Sequence, residues 1–327
     1  MSAFQCRFKA FLAEPLEKVF ALLESSLGSD VALLDATNRS LLAQGGKRIR
    51  PGLTLLAAGA CGGVNDDTVR FAAAAEMIHN ATLLHDDVVD GATTRRGKPT
   101  VMSILSGPAS VLIGDYWLVK AIRCILDADR YSERAIRLFA KTLSDLAEGE
   151  ILQLQKASSC DTGEEDYFRI IYCKTASLFE TACRSAALSV SAPEPQIEAL
   201  ARYGSRLGLA FQIRDDMLDY GDGCAIGKPT GQDLREGKIT LPLLCALSEV
   251  SAEENLAIRK RVARAVDDPA EAAAVQAFVR THEGLARAAQ RRDALIREAV
   301  SFLEILPDSE EKSYLASLAH FVGARNN

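Results

Sequence analysis

Two groups of three aspartates share one spacing. Asp86, Asp87 and Asp90 sit in Leu84-His85-Asp86-Asp87-Val88-Val89-Asp90, and Asp215, Asp216 and Asp219 in Arg214-Asp215-Asp216-Met217-Leu218-Asp219. On an α-helix, at about 100° per residue, positions i, i+1 and i+4 fall within an arc of roughly 100°, so each trio presents its carboxylates on one face. Such groups repel one another, the more so at a helix carboxyl end, where the macrodipole already places negative charge. A bound cation removes that cost. Mg²⁺ suits the donors, because it takes an octahedral shell of oxygens and bridges one or two carboxylates to a substrate phosphate. A solvated acidic helix face is the plain alternative, but Val88, Val89, Met217 and Leu218 make the neighbouring positions apolar, and the pattern occurs twice, each time before a loop that contains glycine. All six aspartates are therefore candidate metal ligands, and two trios facing across a bundle would hold several Mg²⁺ around one diphosphate.

A diphosphate also needs cationic side chains. Gly45-Gly46-Lys47-Arg48-Ile49-Arg50-Pro51 places three cations between a helix stop and a helix start, where free backbone N–H groups favour an anion. Arg95-Arg96-Gly97-Lys98-Pro99 follows the first trio, and Lys228 and Lys238 bracket the loop after the second. Lys174 differs, lying in the weakly polar stretch Tyr172-Cys173-Lys174-Thr175-Ala176, where it either snorkels to solvent or meets a phosphate. The four histidines, His79, His85, His282 and His320, are too dispersed for a zinc site. His79 lies about two helical turns before Asp86, where it either donates to a diphosphate or caps a core contact.

The elements that must position these residues read as helical. Strand-type alternation is missing, and the helical period predicts segments at 15–27, 30–44, 51–62, 65–90, 100–106, 108–128, 131–157, 164–191, 194–220, 240–249, 252–266, 269–281, 283–306 and 308–323. Gly91–Pro99 and Gly221–Gly237 carry Gly, Pro and charge without periodicity and are expected to be loops. No linker or repeat divides the 327 residues, so the expectation is all-α, one large helical bundle over 1–327 with a central cavity between long helices.

Composition excludes several classes. A net charge of -6 argues against a nucleic-acid binder. The eight cysteines are scattered with no C-x-x-C pair, which predicts reduced thiols and a cytoplasmic protein, and no signal peptide or transmembrane segment is visible.

Taken in order, GGKRIRP, HNATLLHDDVVD with RRGKPT, GDYW, EGEILQLQ, KTASLFE, FQIRDDMLDY and GKPTGQDLREGKITLP resemble the trans-polyprenyl diphosphate synthases, over roughly residues 38 to 322. The resemblance implies an isoprenoid-synthase bundle, a homodimer, and condensation of isopentenyl diphosphate with an allylic diphosphate. It implies about three Mg²⁺ per active site, held by Asp86, Asp90 and Asp215, with Asp87, Asp216 and Asp219 in support. Arg95, Lys174 and Lys238 would neutralise the allylic diphosphate, with Lys228 nearby. Lys47, Arg50, His79 and Arg96 would hold isopentenyl diphosphate, and Thr175, Gln212 and Lys174 would flank the allylic cation.

Product length is expected to depend on the wall below Asp86, where Thr82, Ala81, Ile78 and Met77 recur toward the buried end at about 5.4 Å per turn. Short-chain members of the family carry bulky aromatics four or five positions before the first aspartate. Here Thr82 and Ala81 stand there, which predicts a long product, on the order of C30–C50. Trp117 is bulky enough to form a floor instead, leaving geranylgeranyl or farnesyl diphosphate as the alternative. A terpene cyclase would have no use for a second diphosphate site, and a non-catalytic partner subunit would not retain all six aspartates.

Overall fold

A computed structural model describes residues 3–44, 46, 48–95, 97–221 and 231–324. Lys47, Arg96 and Lys228 lie outside the described residues. The fold is all-α apart from a two-stranded hairpin, and its residues divide into two compact units.

The first unit comprises Met1–Phe139, Ala182–Glu198 and Leu306–Leu315. It contains α1 (Ala3–Phe11), α2 (Ala13–Leu27), α3 (Ala32–Ala43), α4 (Ile49–Gly59), α5 (Asp66–Val89), the hairpin β1 (Thr94–Arg95) and β2 (Lys98–Pro99), α6 (Val101–Ile104) and α7 (Gly107–Leu126). Helix α5 starts where Asn65 accepts from the Thr68 N–H at 2.9 Å and the Thr68 hydroxyl accepts in return from the Asn65 N–H. This reciprocal cap satisfies two otherwise orphaned donors. The alanine run Ala72–Ala75 is fully buried and lets α4 and α7 approach closely. Trp117 of α7 is fully buried, and its indole donates to Asn38, which in turn donates to the Leu27 carbonyl, joining α7, α3 and α2. The loop after the first trio ends helix α5 with Gly91 at φ 62°, and the Gly91–Pro99 stretch closes as the antiparallel pair Arg95 and Lys98.

The second unit comprises Ala140–Thr181, Ala199–Ile305 and Ala316–Asn327. It holds most of α8 (Ser132–Ser159) and α11 (Glu194–Asp219), α9 (Glu164–Ile171), a π-helical turn at Tyr172–Ala176, the start of α10 (Ser177–Ser189), α12 (Gln232–Arg235), α13 (Leu241–Leu247), α14 (Ala252–Ala265), α15 (Pro269–Thr281), α16 (Gly284–Phe302) and the end of α17 (Glu310–Ala324). Its core gathers Tyr167, Ile213, Leu241, Leu243, Val262 and Val275.

Three elements depart from the sequence expectation. Helix α1 forms where no segment was expected, because Phe8 and Leu12 are buried against Gly52, whose absent Cβ would stand 2.5 Å from the Phe8 ring. The 164–191 segment is interrupted by the π turn. The Gly221–Gly237 stretch, expected to be a loop, contains α12 among its described residues.

Candidate active site

Each trio closes a long helix, and in each the second aspartate turns inward. In the first unit Asp87 is 5% exposed and its Oδ1 accepts from Arg95 Nε at 2.7 Å. Burial pushes the Asp87 carboxyl above its ordinary range despite that guanidinium, and Asp90 adds to the rise. Asp86 is half-buried and Asp90 exposed, one helical turn apart, with the Asp90 N–H donating to the Asp86 carbonyl at 2.8 Å. The pair Asp86 and Asp90 is thus the accessible part of the trio. His85 points elsewhere, with Nε2 3.3 Å from both the Val111 carbonyl and Asp115 Oδ1. Gly114 makes room for it, since a Cβ there would stand 2.3 Å from the imidazole.

Arg50 lies in the first turn of α4, half-buried, and Arg48 just before it is left-handed (φ 53°, ψ 36°) with its guanidinium 3.7 Å from the centre of the Phe20 ring. His79 is half-buried on α5. Ala81, Ile78 and Met77 are fully buried, whereas Thr82 is half-buried and donates to the His79 carbonyl at 2.9 Å.

The second unit repeats the division. Asp215 is the open member, its side chain 43% exposed and 3.6 Å from the guanidinium of buried Arg214. Asp216 is 6% exposed; Tyr167 donates to its Oδ2 at 2.6 Å and Gln212 Nε2 to its Oδ1 at 2.8 Å. Gln212 Oε1 accepts in turn from the Thr175 hydroxyl at 2.7 Å. Asp219 does what its spacing did not announce. Its two oxygens accept from the Gln232 and Asp233 N–H groups at 3.0 Å each, capping α12.

Burial raises the carboxyls of this unit, Asp216 to about 6, Asp219 against its backbone donors, and Asp233 well above the usual range with Asp216 and Asp219 as neighbours. Burial and Asp216 hold the Tyr167 phenol protonated, so it is the donor of its bond.

Lys174 and Thr175 occupy the π turn. Gly149 of α8 and Gly208 of α11 press on it: a Cβ at Gly149 would lie 2.7 Å from the Cys173 Cβ, and one at Gly208 would lie 2.5 Å from the Ala176 Cα. A π turn widens the helix by one residue, a device common at functional sites. Lys174 Nζ is 2.6 Å from Glu150 Oε1, and Lys238 pairs with Glu236 while its N–H donates to the Asp233 carbonyl. Tyr167, Glu150 and Asp233 were not singled out by sequence reasoning. Gly149 inside EGEILQLQ was the available signal for a close approach beside Glu150.

The donor chemistry fits Mg²⁺. Every candidate ligand is a carboxylate, the hard oxygen donor that Mg²⁺ takes. Among the described residues no three His, Cys, Asp or Glu side chains are already drawn together as a ligand set. Asp90 and Asp215 are the exposed members, and Asp86 is half-buried.

The polyprenyl synthetase family model matches residues 31–279. The octaprenyl diphosphate synthase of Haemophilus influenzae is 39% identical over 96% of this chain and 95% of its own. Among solved structures, a decaprenyl diphosphate synthase from Rhodobacter capsulatus superposes with a TM-score of 0.91 at 38% identity, covering 98% of each chain. A polyprenyl synthase from Caulobacter crescentus, complexed with calcium and isoprenyl diphosphate, gives 0.90 at 35% identity over 99% of this chain and 98% of that one. With paired aspartate trios on an all-α scaffold and this similarity along its whole length, the chain belongs to the polyprenyl synthetase family and is a prenyltransferase.

Proposed function

We propose that the chain, working as one catalytic domain, condenses isopentenyl diphosphate with an allylic diphosphate in repeated cycles, giving a trans-polyprenyl diphosphate on the order of C30–C50. The supporting observation is the difference in burial within each trio: Asp87 and Asp216 are buried and accept from the chain's own donors, while Asp90 and Asp215 are exposed and Asp86 is half-buried. These three hold Mg²⁺, about three ions in all. When bound, Mg²⁺ supplies Lewis-acid pull on the diphosphate oxygens.

Lys174, Lys238 and Arg95, with Lys228, neutralise the diphosphate that departs as the allylic carbon–oxygen bond breaks. Lys47, Arg50, His79 and Arg96 hold isopentenyl diphosphate with its alkene toward the resulting cation. Thr175 and Gln212 direct oxygen dipoles at that cation. The new carbon–carbon bond leaves a tertiary cation, which loses a proton to the departed pyrophosphate. Water must be kept away throughout.

The chain-length reading rests on Thr82, Ala81, Ile78 and Met77, where no aromatic side chain stands. Trp117 is held by Asn38 inside the first unit, which argues against its serving as an adjustable floor. For assembly we favour a homodimer through α7, whose exposed Leu112, Val119 and Leu126 recur every seventh residue, the period of a helix-pairing seam. The cytoplasm is the proposed compartment. None of the described cysteines is in a disulfide, and no helix among the described residues is long and apolar enough to cross a membrane.

Incubation with Mg²⁺, labelled isopentenyl diphosphate and farnesyl diphosphate, followed by mass analysis, tests the reading. A polyprenyl diphosphate and released pyrophosphate are expected, both abolished by chelator. Failure to consume isopentenyl diphosphate contradicts it.

A further inference from the structure

The bonds around Asp216 form a chain with one sense. A carboxylate only accepts, so the Gln212 group 2.8 Å from Oδ1 is its NH₂, and the carboxamide oxygen is thereby turned to the Thr175 hydroxyl, 2.7 Å away. Tyr167 fills the second Asp216 oxygen at 2.6 Å from the far side, and its ring is anchored edge-on against Phe168. With that bond in place Asp216 cannot swing away from Gln212. The Thr175 hydrogen is committed as well, so its oxygen meets any further group only as an acceptor. Gly208, one helical turn before Gln212, holds that turn against α11, so backbone and side-chain constraints agree.

We infer that Tyr167 is a positioning residue for prenyl transfer, acting through Asp216 to hold the Gln212 carboxamide and the Thr175 hydroxyl in a single orientation. This rests on the reading that Gln212 and Thr175 border the allylic cation. Oriented dipoles stabilise developing charge because they need no reorganisation at the moment of reaction. Without the Tyr167 hydroxyl, Asp216 gains a second rotamer, the Gln212 amide can turn over, and its NH₂ then points where an oxygen is needed. The cation survives less long and water competes for it.

The test is steady-state kinetics of Tyr167→Phe and Asp216→Asn in the full chain, with free prenyl alcohol measured beside the condensation product. Both variants are expected to lower kcat by about tenfold and to raise the alcohol fraction, while the KM for isopentenyl diphosphate and the half-saturating Mg²⁺ concentration stay within about twofold. A merely structural role would not shift the alcohol fraction. Unchanged kcat and alcohol fraction in Tyr167→Phe overturn the inference, as does a rise of about tenfold or more in the Mg²⁺ requirement of Asp216→Asn, which would place the effect of Asp216 at the metal, as ligand or as ligand support, instead of at Gln212. Should Tyr167→Phe fail to fold, Asp216→Asn decides alone by the same readouts. Inactivity of the unaltered chain would instead strike the underlying reading of the reaction.

Discussion

Arg95 Nε donates to Asp87 Oδ1 at 2.7 Å, bringing a cation from the hairpin onto the buried carboxylate of the first trio. The arrangement divides three aspartates that look equivalent in sequence. Asp87 ties the loop to the end of α5, while Asp86 is half-buried and Asp90 exposed.

Removing that cation leaves a buried carboxylate with its principal partner gone. Arg95→Ala is expected to cost about 1–3 kcal/mol, discounted from the fully buried case because Arg95 itself is about a third exposed. Thermal unfolding without divalent ions measures it, and an unchanged Tm would mean the bond contributes nothing in solution.

Asp216 gives a pH dependence of definite sign. Its folded pKa of about 6 stands above the ordinary 3.8, so its contribution to stability is complete below about 3.8 and is lost as pH rises through about 6. Asp216→Asn cannot ionise. The ligand-free variant should therefore melt a few degrees above the unaltered protein at pH 7.5 and show little gain at pH 4. Melting curves in chelator at both pH values check this; an equal shift at both would point to packing instead of charge.

Ala81 sits at 0% exposure, so a phenylalanine there needs space. If the proposed wall lines the product's path, Ala81→Phe should shorten the product by one or more isoprene units at a small cost in Tm. If Ala81 is ordinary core, the substitution should cost about 1–3 kcal/mol of overpacking and leave product length alone. Mass spectra of the products together with melting curves separate the two.

The Arg48 guanidinium stacked on Phe20 braces a left-handed residue immediately before the turn that carries Arg50. Phe20→Leu is expected to raise the KM for isopentenyl diphosphate severalfold and to cost about 0.5–2 kcal/mol. Phe20→Trp, which keeps an aromatic face, should restore most of the KM. Equal KM values for both variants would show that the stack does not serve Arg50.

Much of this was legible because it is local. The Asn65 cap, the period of α5 and the spacing Asp86, Asp87, Asp90 lie within one stretch, and the helix forms almost where the pattern puts it, at Asp66–Val89. The π turn was not legible: residues 164–191 carry an unbroken helical period, and the glycines that press on the turn, Gly149 and Gly208, are remote in sequence. Helix α12 was hidden for the same reason, since its cap is the side chain of Asp219 on another helix. The inequality within each trio likewise depends on Arg95, Tyr167 and Gln212, partners that an Asp-Asp-x-x-Asp spacing does not name.

Turnover of isopentenyl diphosphate by Asp86→Ala and Asp215→Ala, each at saturating Mg²⁺, tests the central claim that both trios serve one metal-dependent reaction. Each substitution is expected to lower kcat by about a thousandfold or more while the fold survives, because both side chains are partly exposed. Near-normal turnover in either variant would contradict it.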